Sequence, residues 1–443
     1  MLPTVTIRGL TSEGAGVGSL PDGRAVFVHQ SAPGDRIRVE LTHEKRRWAR
    51  GRIAELLEPG PGRRDAPCPH AGRCGGCTFE HLEYEVQLDA KRTRIDDALT
   101  RIGGLEALPP IEMHAAPHEF RYRNRVSFTL RRLGGDRVVA GFHHLESPGH
   151  IVDLGGECLL PEAALAKLWE EIRKAWGVGA AHLPSGDRLR LTLRSLSDGS
   201  GLLLVEGGIR GGDPGRLVAA VPGLRSVWGA PEQGARPTLL SGEDGAMEEW
   251  FGEHLPIRPG AFLQVNRRAA EDLHALVLRE IGRPRGLRIV DAYCGFGVYG
   301  RRLARHGARA VGIELDPGAV EMSREVPVKG FRLIEGPVEG HMESVLPADR
   351  VILNPPRGGV DEAVTEALAR TPPERLIYVS CDPSTLARDL ARLEVPRRLR
   401  VTRIQGVDLF PQTPHVETIV TLDAGEADGP GSPSPEGNPR TRG

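Results

Sequence analysis

Arg375-Leu376-Ile377-Tyr378-Val379-Ser380-Cys381-Asp382-Pro383 is an apolar run that stops at a thiol. Its length and content predict a buried strand, and Asp382 or Ser384 predicts the cap of a helix that follows at once. Cys381 therefore stands at a strand end. In an open α/β sheet that edge is where ligands bind, and a helix N-terminus beside a thiol lowers its pKa toward the reactive thiolate. A single cysteine is more often a small core residue, so the rest of the chain has to separate the two readings.

From about Pro256 to Asp423 the pattern around this run is βαβα. Strands are predicted at Arg288-Ile-Val-Asp-Ala-Tyr, Ala310-Val-Gly-Ile-Glu-Leu, Phe331-Arg-Leu-Ile, Arg350-Val-Ile-Leu-Asn, Leu399-Arg-Val-Thr-Arg-Ile and Val416-Glu-Thr-Ile-Val-Thr-Leu, with helices between most of them. That alternation predicts a doubly wound, Rossmann-like α/β sheet over residues 256–424. Residues 425–443, rich in Gly, Pro, Ser and Glu, are expected to be a disordered tail.

The other predicted strand ends also carry chemistry. Asp291-Ala-Tyr-Cys-Gly-Phe-Gly-Val-Tyr-Gly300 closes a strand with a Gly-rich turn that opens a helix, and Glu314 ends the next strand. Glycines let the backbone approach a ligand, and the acidic residue about twenty positions on can take ribose hydroxyls. Gly295 and Gly297 supply the GxG of such a turn, and S-adenosylmethionine is expected there over NAD. An ordinary tight turn would read the same way. Asn354-Pro-Pro-Arg-Gly-Gly stiffens a loop over the same edge. Asp408-Leu-Phe-Pro-Gln-Thr-Pro-His-Val-Glu417 puts a carboxylate at a strand start, available as a base.

The chain has 443 residues and a net charge of -1. That length predicts several domains, and the charge requires any nucleic-acid partner to be held by local basic patches. No run is long enough to span a membrane and no leader pattern opens the chain, so a cytoplasmic protein without membrane contact is expected. Between Val5 and Leu57 short alternating strands separated by Gly14-Ala-Gly, Pro21-Asp-Gly and Pro33-Gly-Asp predict a small β-barrel over residues 1–60. Lys45, Arg46, Arg47, Arg50 and Arg52 surround Trp48 there, a set that suits RNA as well as a solvated face.

Cys68, Cys74 and Cys77 follow on a Gly-rich loop, and Cys158 is the remaining cysteine of this half. Four cysteines in a cytosolic chain point to a metal site, and their spacing leaves zinc and an iron-sulfur cluster equally open. From His81 to Ile102 the pattern is helical, with Leu82, Val86, Ile95, Leu99 and Ile102 on one face. Strands return between Phe120 and Leu255 around one helix at about 161–176, so residues 61–255 are expected to hold the cysteine segment and a central α+β domain. Arg121, Arg123 and Arg125 alternate on one predicted strand face, where they suit phosphate contacts.

Taken together these motifs resemble the RNA 5-methyluridine methyltransferases of the iron-sulfur type over nearly the whole chain. The N-terminal segment resembles a TRAM domain, Tyr293-Cys-Gly-Phe-Gly the cofactor loop, and Pro259-Gly-Ala-Phe-Leu-Gln-Val-Asn266 the segment whose glutamine, here Gln264, contacts the methionine part of the cofactor. The resemblance implies a class I methyltransferase domain that uses S-adenosyl-L-methionine, held by Gln264, Tyr293, Gly295, Gly297, Glu314 and Asn354. It further implies Cys381 as nucleophile toward uracil C6, Glu417 as general base, and a [4Fe-4S] cluster on Cys68, Cys74, Cys77 and Cys158. The implied partner is RNA, acted on by a monomer. The combination of segments leans toward 23S rRNA, with tRNA as the alternative. Asn354 stands where the family usually has Asp, which leaves open a catalytically impaired RNA-binding or assembly factor. An exocyclic-amine methyltransferase, suggested by Asn-Pro-Pro, would carry an aromatic residue where Arg357 stands.

Overall fold

A computed structural model describes residues 2–395 and 398–425. Residues 426–443, where the tail is expected, lie outside the described residues.

The N-terminal segment forms a six-stranded sheet in the spatial order Thr4–Thr6, Arg36–Glu44, Trp48–Glu58, Ala25–Val28, Gly16–Ser19, Gly9–Leu10. Alternation puts Val5, Val26, Val28, Ile37 and Val39 on its inner face as one core. The Arg8 N–H donates to the Val17 carbonyl (2.8 Å) across the curl of the sheet.

The central domain is built on a seven-stranded sheet running Ile151–Asp153, Val138–His143, Arg125–Arg132, Arg188–Ser195, Gly201–Glu206, Leu224–Ala230, Thr238–Gly242. The helix Ala163–Ala175 packs Leu165, Leu168, Trp169 and Ile172 into its core. The arginine strand begins later than the alternation predicts. Tyr122 and Asn124 are buried, Arg121 adopts φ 55°, and the segment 121–123 instead bonds to Leu159 and Leu160. The three arginines consequently do not share an open face.

In the C-terminal sheet the order is Phe331–Glu335, Arg309–Glu314, Arg288–Ala292, Arg350–Leu353, Arg375–Ser380, Glu417–Ala424, Leu399–Val407, Ile111–His114. The first five strands are parallel, and Glu417–Ala424 inserts antiparallel beside Arg375–Ser380. One face of the sheet is covered by the helices Val338–Val345, Glu362–Arg370 and Pro383–Arg392, the other by Arg267–Ile281 and Val298–Arg305. This is the expected α/β fold.

One stretch is placed differently from its sequence grouping. The helix Tyr84–Asp97, its π-helical extension Ala98–Ile102 and the strand Ile111–His114 belong to the C-terminal sheet, where Ile95, Ala98 and Leu99 join the core. The helix is shorter than 81–102 and its inward side is Gln87, Lys91 and Ile95, while Ile102 is 54% exposed. Leu82, Ile95 and Leu99 are buried as the periodicity predicts; it misses Gln87 and Lys91, which are buried against polar partners.

Candidate active site

The sheet register brings the two proposed reactive groups together. Ser380 pairs with Thr418 in the antiparallel ladder, so the next residue on one strand and the preceding one on the other, Cys381 and Glu417, lie opposite each other at the sheet edge. Asp382 caps the helix Pro383–Arg392, its carboxylate accepting from Ser384 N (2.8 Å) and Thr385 N (3.4 Å). Burial raises the Cys381 thiol above its ordinary value; the Glu417 carboxylate adds to this and the Arg357 guanidinium opposes it. Glu417 is buried, and burial pushes its carboxyl up to about 7 against the same guanidinium. A carboxyl titrating there is suited to accept a proton near neutral pH.

Three side chains around this pair escape the sequence reading. Arg357, on the loop after Asn354, acts on both groups. Arg94 reaches from the helix Tyr84–Asp97 to the Pro414 carbonyl (2.9 Å) and lies 3.9 Å from Asp382. His415 is held neutral, its pKa pushed down to about 4 by burial and by the surrounding Arg357, Arg94, Arg123 and Lys91. The available signal was the polar stripe Gln87, Lys91, Arg94, spaced four and three residues apart on one helix face.

The nearby strand ends form the cofactor edge. The Gly295 N–H donates to Glu314 Oε2 (2.7 Å) and the Asp316 N–H to Glu314 Oε1 (2.7 Å), which holds that carboxylate at the mouth of the turn. Gly295 has φ 56° and open space where a Cβ would stand; Gly297 has φ 84°, and a Cβ there would lie 2.5 Å from the Phe331 ring. Gly297 requires glycine, and the left-handed backbone at Gly295 favours it. Tyr293 adopts φ 60° and turns its ring into the core, so its main chain is what faces the edge. The Asn354 N–H bonds the Ala292 carbonyl (3.3 Å). Asp291 is buried, with Oδ2 accepting from Gly300 N (2.8 Å) and Oδ1 without a partner. Gln264 is fixed from the central domain, where Asn124 Nδ2 donates to its carbonyl (3.1 Å). A glycine turn and a strand-end carboxylate are what an adenosine-bearing ligand uses at such an edge.

The four N-terminal cysteines lie apart from this site and line one cavity with His70, Glu80 and Phe142. Pairing brings them together: Gly75 N donates to the His143 carbonyl (2.9 Å), and Arg121 Nη1 to the Cys158 carbonyl (2.7 Å). Burial raises all four thiols, Cys158 to about 12, and the neighbouring thiols Cys68 and Cys74 add to the effect on Cys158. Among the described residues no group of three or more His, Cys, Asp or Glu side chains is arranged as around one metal ion. The donor set around the cavity fits a cationic inorganic centre, which would stabilise thiolates that burial otherwise disfavours.

Comparison with known proteins places these features in a family. The family profile described as tRNA (Uracil-5-)-methyltransferase matches residues 341–424, and the TRAM domain profile residues 4–54. An uncharacterised RNA methyltransferase of Gloeobacter violaceus is 34% identical over 95% of this chain and 96% of its own length. The 23S rRNA (uracil(1939)-C(5))-methyltransferase of Chromohalobacter salexigens is 31% identical over 94% of this chain and 88% of its own. The crystal structure of the Pyrococcus abyssi tRNA (uracil-54, C5)-methyltransferase with S-adenosyl-L-homocysteine covers 94% of this chain and 99% of its own at 26% identity, with a TM-score of 0.72. Among the described residues no helix is long and apolar enough to cross a membrane.

Proposed function

The chain belongs to the RNA uracil-C5 methyltransferase family, and from that premise we propose that it methylates C5 of a uridine in 23S rRNA, with Cys381 as nucleophile and Glu417 as base. Methylation of RNA uracil C5 with S-adenosylmethionine is the reaction of the chain. The observation that carries the residue roles is the facing of Cys381 and Glu417 one step beyond the last register pair, Ser380 with Thr418. The rRNA substrate is supported by the relative from Chromohalobacter, matched at 31% identity.

Uracil C5 is a poor nucleophile. The Cys381 thiolate adds to C6, and the electrons of the C5=C6 bond move onto C5, which becomes enolate-like. S-adenosylmethionine would supply an electrophilic methyl group when bound: C5 takes the methyl as the methyl–sulfur bond breaks, its electrons staying on sulfur to leave the neutral thioether. Glu417 then removes the C5 proton, the C–H electrons restore C5=C6, and the C6–S bond breaks to return the thiolate. Arg357 favours the charged forms of both groups. Gln264, Gly295, Gly297, Glu314 and Asn354 would hold the cofactor, together with the main chain of Tyr293. Asn354 still offers a side-chain amide at the position where the family has a carboxylate. Because the reacting edge of uracil is buried in a stack, the base is flipped into the site or taken from a loop.

Cys68, Cys74, Cys77 and Cys158 would hold a [4Fe-4S] cluster. Their shared cavity supports that reading.

The test is incubation of the protein with labelled S-adenosylmethionine and a 23S rRNA fragment or tRNA. Wild type should label uridine C5 in the rRNA fragment, Cys381→Ala should transfer nothing, and Glu417→Gln should accumulate a denaturation-resistant methylated adduct. Equal labelling in Cys381→Ala would remove the nucleophile from the scheme, and preference for tRNA would replace the substrate. Protein purified without oxygen should be brown with visible absorbance; a colourless zinc protein would overturn the cluster.

A further inference from the structure

The segment Asp408–Glu417 is held by groups that lie far from it in sequence, and their bonds converge on Gln412. Its side chain is fully buried and its φ is 67°. The Gln412 carbonyl accepts from Thr78 N (2.9 Å) and Phe79 N (3.0 Å), the two residues directly after Cys77. Its amide and main chain form a reciprocal pair with Gln87: Gln87 Nε2 donates to Gln412 Oε1 (3.0 Å), and Gln412 N donates to Gln87 Oε1 (3.0 Å). Gln412 Nε2 donates to Glu119 (3.2 Å), which is itself paired with Arg64 (2.7 Å). Tyr122 Oη donates to the Pro411 carbonyl (3.0 Å) one residue earlier, and Tyr122 neighbours Arg123, whose guanidinium lies close to Cys77 and Cys158.

A non-glycine residue in the left-handed region persists only where its surroundings over-determine it. Here those surroundings are the cysteine loop and the polar face of the helix Tyr84–Asp97. Glu417 is the first paired residue of its strand: Val407 fixes it on one side, and the loop that Gln412 anchors leads into it on the other. Cys381, in contrast, sits between a fully paired strand and a helix with its own Asp382 cap.

We propose that the cysteine segment clamps the loop bearing Glu417, with Gln412 as the positioning residue, so that removal of the C5 proton depends on the state of the cysteine site whereas addition of Cys381 to C6 does not. The inference rests on Glu417 acting as the base. It assigns the cysteine site an influence on one step of the reaction.

Hydrogen exchange by mass spectrometry and adduct analysis on the full chain test it together, using wild type, Cys77→Ser, Gln412→Ala and Gln87→Ala. In Cys77→Ser, exchange is expected to rise at residues 78–79 and at 408–417 together, because an opened loop withdraws the two N–H donors. Gln412→Ala and Gln87→Ala should raise it at 408–417 with residues 68–77 unchanged. With uridine RNA and S-adenosylmethionine, all three should accumulate the methylated covalent adduct, with kcat lowered about tenfold and KM for RNA unmoved, since a small misplacement of a reacting group is enough for such a loss. Unchanged exchange at 408–417 in Cys77→Ser overturns the proposal. So does a Gln412→Ala enzyme that slows without accumulating adduct, which is the behaviour of a merely structural residue. If Cys77→Ser does not fold, the two glutamine variants carry the decision through the adduct. Should wild type transfer no methyl group to uridine, the enzymatic reading fails, while the exchange measurement still reports the clamp.

Discussion

Glu417 and Cys381 are unequal partners at neutral pH. In the proposed scheme the Glu417 carboxyl, raised to about 7, must be ionised to accept the C5 proton, and the Cys381 thiol, raised above its ordinary value, must be ionised to attack. Both requirements make the rate climb with pH, first through about 7 and again on the alkaline side. Arg357 lowers both values, so Arg357→Gln should move the rising limb of kcat to higher pH by about one unit, measured at saturating RNA and cofactor. A limb that stays in place would mean that the guanidinium does not act on the base. The roles proposed for Cys381 and Glu417 came from motif and residue type. Arg94 was not legible as a site residue because it reaches Pro414 from across the chain, where no spacing rule applies, and Arg357 and His415, though inside quoted motifs, carry no signal of the groups they face.

At the scale of elements, the helix Tyr84–Asp97 shows how a polar surface misleads a reading by hydrophobic period. Lys91 and Asp408 form an ion pair of 2.6 Å with both side chains 0% exposed, and Tyr84 Oη (3.0 Å) and Phe410 N (3.0 Å) also donate to that carboxylate. Burial opposes the Lys91 charge while Asp408 supports it. Removing one partner strands the other charge in the interior, so Lys91→Met should cost about 3–5 kcal/mol in chemical denaturation. Lys91→Met combined with Asp408→Leu should recover part of that loss. A single variant as stable as wild type would show that Asp408 takes a proton or water instead. The strands of the C-terminal sheet from Arg288 on, by comparison, were legible closely, because runs such as Val351-Ile352-Leu353 and Leu376-Ile377-Tyr378-Val379 are buried on both faces, whereas the edge strand Ile111–His114 was not.

For the molecule as a whole, a net charge of -1 leaves RNA attraction to local surfaces. In the N-terminal barrel the basic cluster divides: Arg52 is paired with Glu40 (2.9 Å), while Lys45, Arg46 and Arg47 are exposed beside Trp48, whose ring stands 5.5 Å from that of His43 and carries Arg50 above it. Arg46→Ala and Arg47→Ala should each weaken RNA binding and reduce the slope of log affinity against log salt by about 1. Filter binding over a salt series measures it, with single-turnover methyl transfer at saturating RNA unchanged. An unchanged slope would leave those arginines to solvent. Arg121 and Arg123, grouped with Arg125 by sequence as a phosphate-facing set, are engaged elsewhere in the fold: the first bonds the Cys158 carbonyl, and the second is half-buried beside the cysteines.

What the sequence determined by itself is local: apolar runs make the strands, glycines open the turn before Val298–Arg305, and Asp382 caps the helix after Cys381. The candidate nucleophile, base, cofactor loop and four cysteines could all be named from such segments. The tertiary structure decided which distant groups meet. It set Glu417 opposite Cys381 by inserting the last strand antiparallel, moved the helix Tyr84–Asp97 onto the catalytic domain, and joined Thr78 to Gln412. The physical reason is that buried polar groups must find partners wherever the packed chain offers them, and those partners leave no periodic trace in either segment.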